Sequence, residues 1–359
     1  MAKRSSLIAR TISTLIILIL LLIAIAVVTK LVGSRPFERT VVEMFIRVML
    51  VAGLYIFVGN SGVISFGHIG FMCLGAYAAA WFTIPPAMKG VSLPGLPSFL
   101  AHAQLHFLVS AALAGLLAAI FALIVGRIMM RLSGIAASIA TFAMLAVINT
   151  VYSNWDSVTG GTGSIVGIPF NTGIWTALGG AILVVIIAYL YQISRSGLAL
   201  RAGRDEATAA AASGIDIVRE RLIAFVISAF TIGVAGALYA HFLGVVNPDA
   251  FYLGVTFITL SMLVVGGMNS LSGAVLGVIV ISTIIQLLRW LEKGIDLGGT
   301  TIAIPNGLQE IAIGLVMIVI LMFRPSGLTR NRELVWRYWP FGKGSVNGVA
   351  VSKTIENVR

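Results

Sequence analysis

Residues 11–32 read Thr-Ile-Ser-Thr-Leu-Ile-Ile-Leu-Ile-Leu-Leu-Leu-Ile-Ala-Ile-Ala-Val-Val-Thr-Lys-Leu-Val, and Ile12 to Thr29 carry no charge. About 20 apolar residues in helical form cross the hydrocarbon core of a bilayer, so this stretch reads as a transmembrane helix. Lys3, Arg4 and Arg10 precede it, and Ala24-Ile25-Ala26 formally fits a signal-peptide cleavage pattern. The apolar run is long for a signal peptide, which favours a retained helix. Similar runs follow near 41–58, 62–84, 105–126, 134–152, 173–193, 222–246, 255–268, 271–290 and 305–323, giving about ten spans. The long continuous runs favour helices over the alternating strands of a barrel. The fold class expected is all-α, a polytopic helical integral membrane protein.

Composition says the same. Of the 359 residues 58% are hydrophobic and 10% charged, and mean hydropathy is +1.03. A soluble domain carries roughly 25% charged residues, so this chain cannot cover a water-facing surface. The net charge of +11 points to a membrane surface and not to nucleic acid, because 17 of the 24 Lys and Arg fall in four places. These are the N-terminus, the loop at Arg127 and Arg131, the loop from Arg195 to Arg221, and the tail from Arg324 to Arg359. That is the positive-inside pattern with both termini cytoplasmic. The exception is Lys30, Arg35 and Arg39, on the expected outer side. The reading divides the chain into an N-terminal segment 1–40, a core 41–324 with a cytoplasmic loop 194–221, and a basic cytoplasmic tail 325–359.

Local chemistry adds detail. Thr40 with Glu43 fits a capping box, and Glu43 with Arg47 an i, i+4 ion pair at the interface. Asn306 and Gln309 would cap the last span. The proline-rich stretch 85–104 reads as a connecting loop or short surface helix. Cys73, the only cysteine, excludes an internal disulfide and a zinc site built on cysteine, and reads as a small buried hydrophobe. His241 reads as interfacial.

Two glycine-rich segments resemble each other across the halves. One holds Gly59, Asn60, Ser61, Ser65, Gly67 and His68, the other Gly266, Gly267, Asn269 and Ser270. Broken hydrophobic segments in corresponding halves point to a transporter's pathway, and glycine also lets helices pack closely. Both readings stay open here. His68 is either a proton carrier or a polar contact at a helix break; the absence of an obvious intramembrane carboxylate partner favours the latter.

The stretch 196–221 is long, polar and charged for a loop between spans. Asp205 and Glu206 stand near the start of a run of helix formers, with Gly214 after it, which suits a short helix. Its alanines would allow close approach to another protein, with Arg201 and Arg204 bonding at the rim.

This loop resembles the ATPase-coupling motif of ABC importer permeases, and in particular the branched-chain amino-acid permeases of the LivM type. The family's Gly-x-Ala-x-Arg-Ala-x-Arg-Glu run is matched from Gly197 to Asp205, with Asp for Glu. Gly236 to Ala240, Asn247 to Phe251, Gly266 to Ser270 and the segment from Ser65 to Tyr77 match as well, so the resemblance spans roughly Met49 to Pro325. Ala209 and Ala210 sit where the paired alanines belong relative to Gly214, and Thr208 stands where the motif has Glu. The resemblance implies a bacterial inner-membrane protein importing branched-chain or related amino acids by alternating access. It implies a companion permease of the LivH type, two cytoplasmic ATPases and an extracytoplasmic substrate-binding protein. This chain carries no phosphate-binding loop, since Gly342-Lys343 is followed by Gly344, so ATP would be used by the partner ATPases and no cofactor is bound here. It shows no catalytic constellation and is not expected to be an enzyme. The alternatives are a permease for urea or amides, an ion-coupled secondary transporter, and a membrane scaffold or receptor.

Overall fold

A computed structural model describes residues 2–292, 295–297, 300–302, 308–324, 327–330 and 333–334. In chain order the helices are α1 (Ala2–Val32), α2 (Arg35–Ser61), α3 (His68–Thr83), α4 (Pro86–Ser92), α5 (Ser98–Ala101), α6 (Phe107–Met129), α7 (Gly134–Asn154), α8 (Asp156–Thr159), α9 (Ile174–Ile193), α10 (Arg195–Asp205), α11 (Ala207–Ala212), α12 (Ile217–Leu243), α13 (Leu253–Gly266), α14 (Leu271–Glu292) and α15 (Leu308–Phe323). Among the described residues, eight helices are long and apolar enough to cross a membrane. The shorter α3 and α15 occupy two further expected spans, which gives the polytopic all-α architecture.

Elements start and stop for local reasons. Helix α2 begins at Arg35, six residues before the expected start, because Ser34 occupies the N-cap position and Pro36 fits the first turn. Thr40 therefore lies inside the helix and donates to the Pro36 carbonyl, so its capping box does not form. Helix α2 ends at Gly62, whose left-handed conformation lets its N–H reach the Val58 carbonyl. Residues 62–67 then leave the helix, and the expected span 62–84 shrinks to the 16 residues of α3. At 1.5 Å per residue that is about 24 Å, short of the bilayer core. Asn306 lies outside the described residues, as does the Gln309 side chain, so their cap goes undescribed.

Helix α12 is the hub and packs on α6, α3 and α2; α2 also packs on α9 and α14. Small residues make this possible. A methyl at Gly75 would sit 2.1 Å from the Gly233 carbonyl oxygen, and one at Gly236 would sit 2.1 Å from that of Met72. Backbone therefore meets backbone between α3 and α12. In lipid, where no hydrophobic force draws helices together, this close packing is the main source of cohesion.

The bundle has two distinct ends. At one, the β1 strand (Ile165–Val166) pairs antiparallel with β2 (Val245–Val246), Trp81 donates to the Val158 carbonyl, and Lys89 Nζ donates to the Leu100 and Ala103 carbonyls. Desolvation holds the Lys89 ammonium below its usual pKa. His241 is buried here and not interfacial: Nδ1 faces the Ala237 carbonyl and Nε2 the Thr83 hydroxyl. Cys73 is buried, as expected. At the other end, α10 packs on α2 and α9, α11 packs on α10 and α12, and Arg221 donates to the Leu132 carbonyl of the loop after α6.

A valine at Gly236 should drive α12 off α3 and lower stability by at least about 2 kcal/mol. Thermal unfolding of the detergent-solubilised protein checks this, with Gly179, which has open space around it, replaced by alanine as the control expected to change little.

Candidate functional site

The expected coupling loop is built as two short helices. Ser194 caps α10 by accepting from Gly197 N. Gly197 is required there, because a methyl would lie 2.1 Å from the Tyr191 carbonyl oxygen. The chain turns at Glu206, then forms α11 over the alanines. Gly214, at φ 81°, closes it, with Ile215 N donating back to the Ala210 carbonyl. From Asp205 to Gly214 only Ala210 is buried; Glu206, Thr208 and Ala209 all face outward. The loop thus presents an exposed knob of small residues, matching the expected short helix.

The arginines do something other than line a rim. Arg201 turns inward and donates to the Gln192 and Gly197 carbonyls, tying α10 to the end of α9. Arg204 reaches further. Its Nη1 donates to the Gly59 carbonyl at 2.7 Å and to Asn269 Oδ1 at 3.1 Å. Its Nε and Nη2 contact Asp205 Oδ1 at 3.1 and 3.0 Å, which orients the guanidinium. The left-handed Gly62 lies under its aliphatic stem.

One guanidinium therefore joins the loop to both glycine-rich segments. Those segments also touch directly: a methyl at Gly59 would sit 2.7 Å from the Met268 carbonyl oxygen. The structure brings Gly59 together with Met268 and, through Arg204, Asn269, while Asn60 and Ser61 make local contacts and Ser65, Gly67 and His68 lie on the adjoining entry to α3.

Each break is held by its own partners. At the first, Phe66 N donates to Thr141 Oγ1 and Ser138 Oγ donates to the Ile64 carbonyl, both from α7. Gly67 packs on the Thr141 carbonyl, where a methyl would come to 2.4 Å. Asn60 bends back to the Tyr55 and Ile56 carbonyls, and Ser61 accepts from Val63 N. His68 is buried in a cage of Phe57, Phe71 and Phe225, with Nδ1 2.6 Å from Ser65 Oγ. Its surroundings are those of a packed helix start.

At the second break α13 and α14 form a tight hairpin. A methyl at Gly266 would meet the Gly273 carbonyl oxygen at 1.9 Å. Ser270 Oγ accepts from Gly273 N and faces Thr329 Oγ1. Here the segment expected to be a tail becomes part of the core. Leu328 N and Thr329 N donate to the Val265 and Gly266 carbonyls, and Gly327 packs against Gly267. Glu333 accepts from Leu271 N at 2.8 Å and Ser272 N at 3.0 Å, and from Gln192 Nε2 at 3.0 Å. Its carboxylate sits on the positive N-terminal end of α14 and links it to α9. Sequence reading missed Glu333, Thr329, Gln192 and the α7 hydroxyls. The one signal for Glu333 was an acid within a basic tail.

Higher in the bundle, Glu43 pairs with Arg47 at 2.5 Å, as expected, and with Arg289 of α14 at 3.4 Å. Charges placed on spans in this way are stable only when they face one another.

An all-helical bundle of apolar spans, with paired breaks and an exposed loop pinned to them, defines a polytopic membrane permease. The family model described as branched-chain amino acid transport system / permease component matches residues 37–321, and the chain belongs to that family. It is similar to the high-affinity branched-chain amino acid transport system permease protein LivM of Salmonella typhimurium and of Escherichia coli. Each is 26% identical over 342 residues, covering 86% of this chain and 73% of the relative. It is also similar to LivH of Escherichia coli, 28% identical over 162 residues, covering 45% of this chain and 47% of that one. No solved structure matches it.

Replacing Glu333 with glutamine removes the charge at the α14 N-terminus. Stability should fall by about 1–2 kcal/mol, read as a lower thermal midpoint, with Glu206→Gln, at an exposed carboxylate, leaving it unchanged.

Proposed function

We propose that this chain is one half of the channel of an ATP-powered importer carrying branched-chain amino acids into the bacterial cytoplasm. A companion permease of the LivH type supplies the other half. Two ABC ATPases use ATP below, and an extracytoplasmic binding protein delivers substrate above. The bundle end bearing α10, α11 and residues 327–330 and 333–334 faces the cytoplasm, and both termini lie there. The basic loops at that end support this orientation. Family membership and similarity to both LivM and LivH support the reading.

The observation that carries it is the continuous link from the exposed α11, through α10, to Arg204 and both breaks. A partner ATPase pushing on α11 moves Arg204, and with it the Gly59 carbonyl and Asn269. The two breaks at Asn60–His68 and Gly266–Ser270 then act as the hinges of the inner gate. Closure moves rigid elements between two discrete states, which is how nucleotide energy becomes alternating access. The role is a gate rather than a site of chemistry.

Two outcomes follow in vesicles containing the complete complex. Ala211→Trp, which enlarges the exposed knob, should abolish uptake while the protein still inserts. Arg204→Gln should leave ATP hydrolysis running but cut uptake on the order of tenfold, the loss of a charge-assisted bond. A thiol introduced at Ala211 should react with membrane-impermeant reagent only from the cytoplasmic side, because Cys73 is buried and stays silent. Labelling from the outside overturns the orientation. Uptake that survives both substitutions overturns the coupling role.

A further inference from the structure

Lys30, Arg35 and Arg39 break the charge asymmetry of the loops, since they lie at the end opposite α11. The structure gives two of them a common purpose. Arg35 and Arg39, one helical turn apart, face a surface cavity of about 430 Å³ between the N-terminal ends of α2 and α9. Among the described residues neither guanidinium has a hydrogen-bond acceptor or a carboxylate partner; Arg39 lies over the Phe242 ring, 5.7 Å from its centroid. Glu38 also lines the cavity, but it is paired with Lys30 at 2.6 Å. The hydroxyl oxygen of Thr172, in the cavity wall, is buried and has no partner.

These groups share one preference. The last residues of α12, Phe242 and Leu243, also line the cavity, so the helix ends there are of both signs; the two cations and the idle hydroxyl are what favour an anion with several acceptor oxygens. The surroundings say what carries it. Phe170 in the wall is 77% exposed, and Trp175 at the start of α9 is 58% exposed. Leu31 on the adjoining α1, which packs on α9 and α2, is 81% exposed. Exposed aromatic and aliphatic side chains beside arginines at the ends of spans mark the headgroup level of a bilayer.

We propose that this cavity binds the headgroup of an anionic phospholipid in the outer leaflet. Arg35 and Arg39 hold the phosphate, the Thr172 hydroxyl donates to it, and the acyl chains run down the exposed apolar faces of α1 and α9. The choice of leaflet rests on the orientation proposed above; the binding itself rests only on the chain spanning a bilayer and stands apart from the transport reading. It also accounts for the basic residues on the outer side, which then recognise a lipid locally and do not set topology.

Native mass spectrometry of the full chain in detergent tests it, with phosphatidylglycerol and phosphatidylcholine of identical acyl chains as probes. One phosphatidylglycerol should be retained under conditions that strip phosphatidylcholine. Arg35→Gln with Arg39→Gln should weaken that retention on the order of tenfold. Arg127→Gln with Arg131→Gln, at the opposite end, should not. The thermal midpoint of the first pair in phosphatidylcholine should match that of the unaltered chain, since the two guanidiniums anchor no described ion pair. Equal retention of the two lipids, or unchanged retention in the Arg35/Arg39 pair, overturns the proposal. Displacement of the lipid by dilute inorganic phosphate would reassign the cavity to a free anion. Displacement by leucine would reassign it to the cargo. Either result also overturns it.

Discussion

The guanidinium of Arg204 sits where three constraints meet. Its donors must be satisfied, because an arginine at the edge of a membrane domain is costly when unpaired. The carbonyl of Gly59, close to the end of α2, needs a donor that the helix does not supply. Asn269, in the turn between α13 and α14, needs a fixed orientation. One side chain answers all three, and Asp205 beside it holds the planar fork in place. Because the contacts are charge-assisted and short, the loop and the two breaks move together or not at all.

That rigidity is useful only against a firm background. The α3–α12 contact supplies it, since backbone packed on backbone through Gly75, Gly233 and Gly236 leaves no slack for sliding. The breaks are built differently. Their backbone groups are satisfied by side chains and by a separate strap, and not by continuing helix. Such bonds can be exchanged one for another at modest cost, whereas a helix interior cannot be unwound so readily in lipid. Stiffness in the middle and exchangeable bonds at one end is the mechanical layout that an externally driven gate needs.

Much of this was legible in the sequence, for physical reasons. Apolar runs near 20 residues announce spans, because the bilayer sets a length, and the motif at Gly197–Asp205 marked the loop between α9 and α12. The paired glycine segments also announced themselves, because glycine is what lets a chain leave a helix inside a membrane. The details that failed depend on partners distant in sequence. Nothing near Arg204 says that it will point inward to Gly59, 145 residues away. His241 looked interfacial from its place near a helix end, yet it is buried because Thr83 and Phe107 cover it. Thr40 looked like a cap until Pro36, four residues earlier, was seen to start the helix.

The two breaks differ in a way that bears on mechanism. The first is held by Ser138 and Thr141, hydroxyls on a helix that is itself a span. The second is held by residues 327–330 and 333, which follow the last span and are not themselves part of one. Glu333 binds the α14 N-terminus and Gln192 of α9 at once, so the strap ties the second hinge to the helix that leads into the coupling loop. In the proposed coupling, the second break is tied to the loop by two routes, through Arg204 and Asn269, and through Gln192 and Glu333. The first break is tied to it by one, through the Gly59 carbonyl.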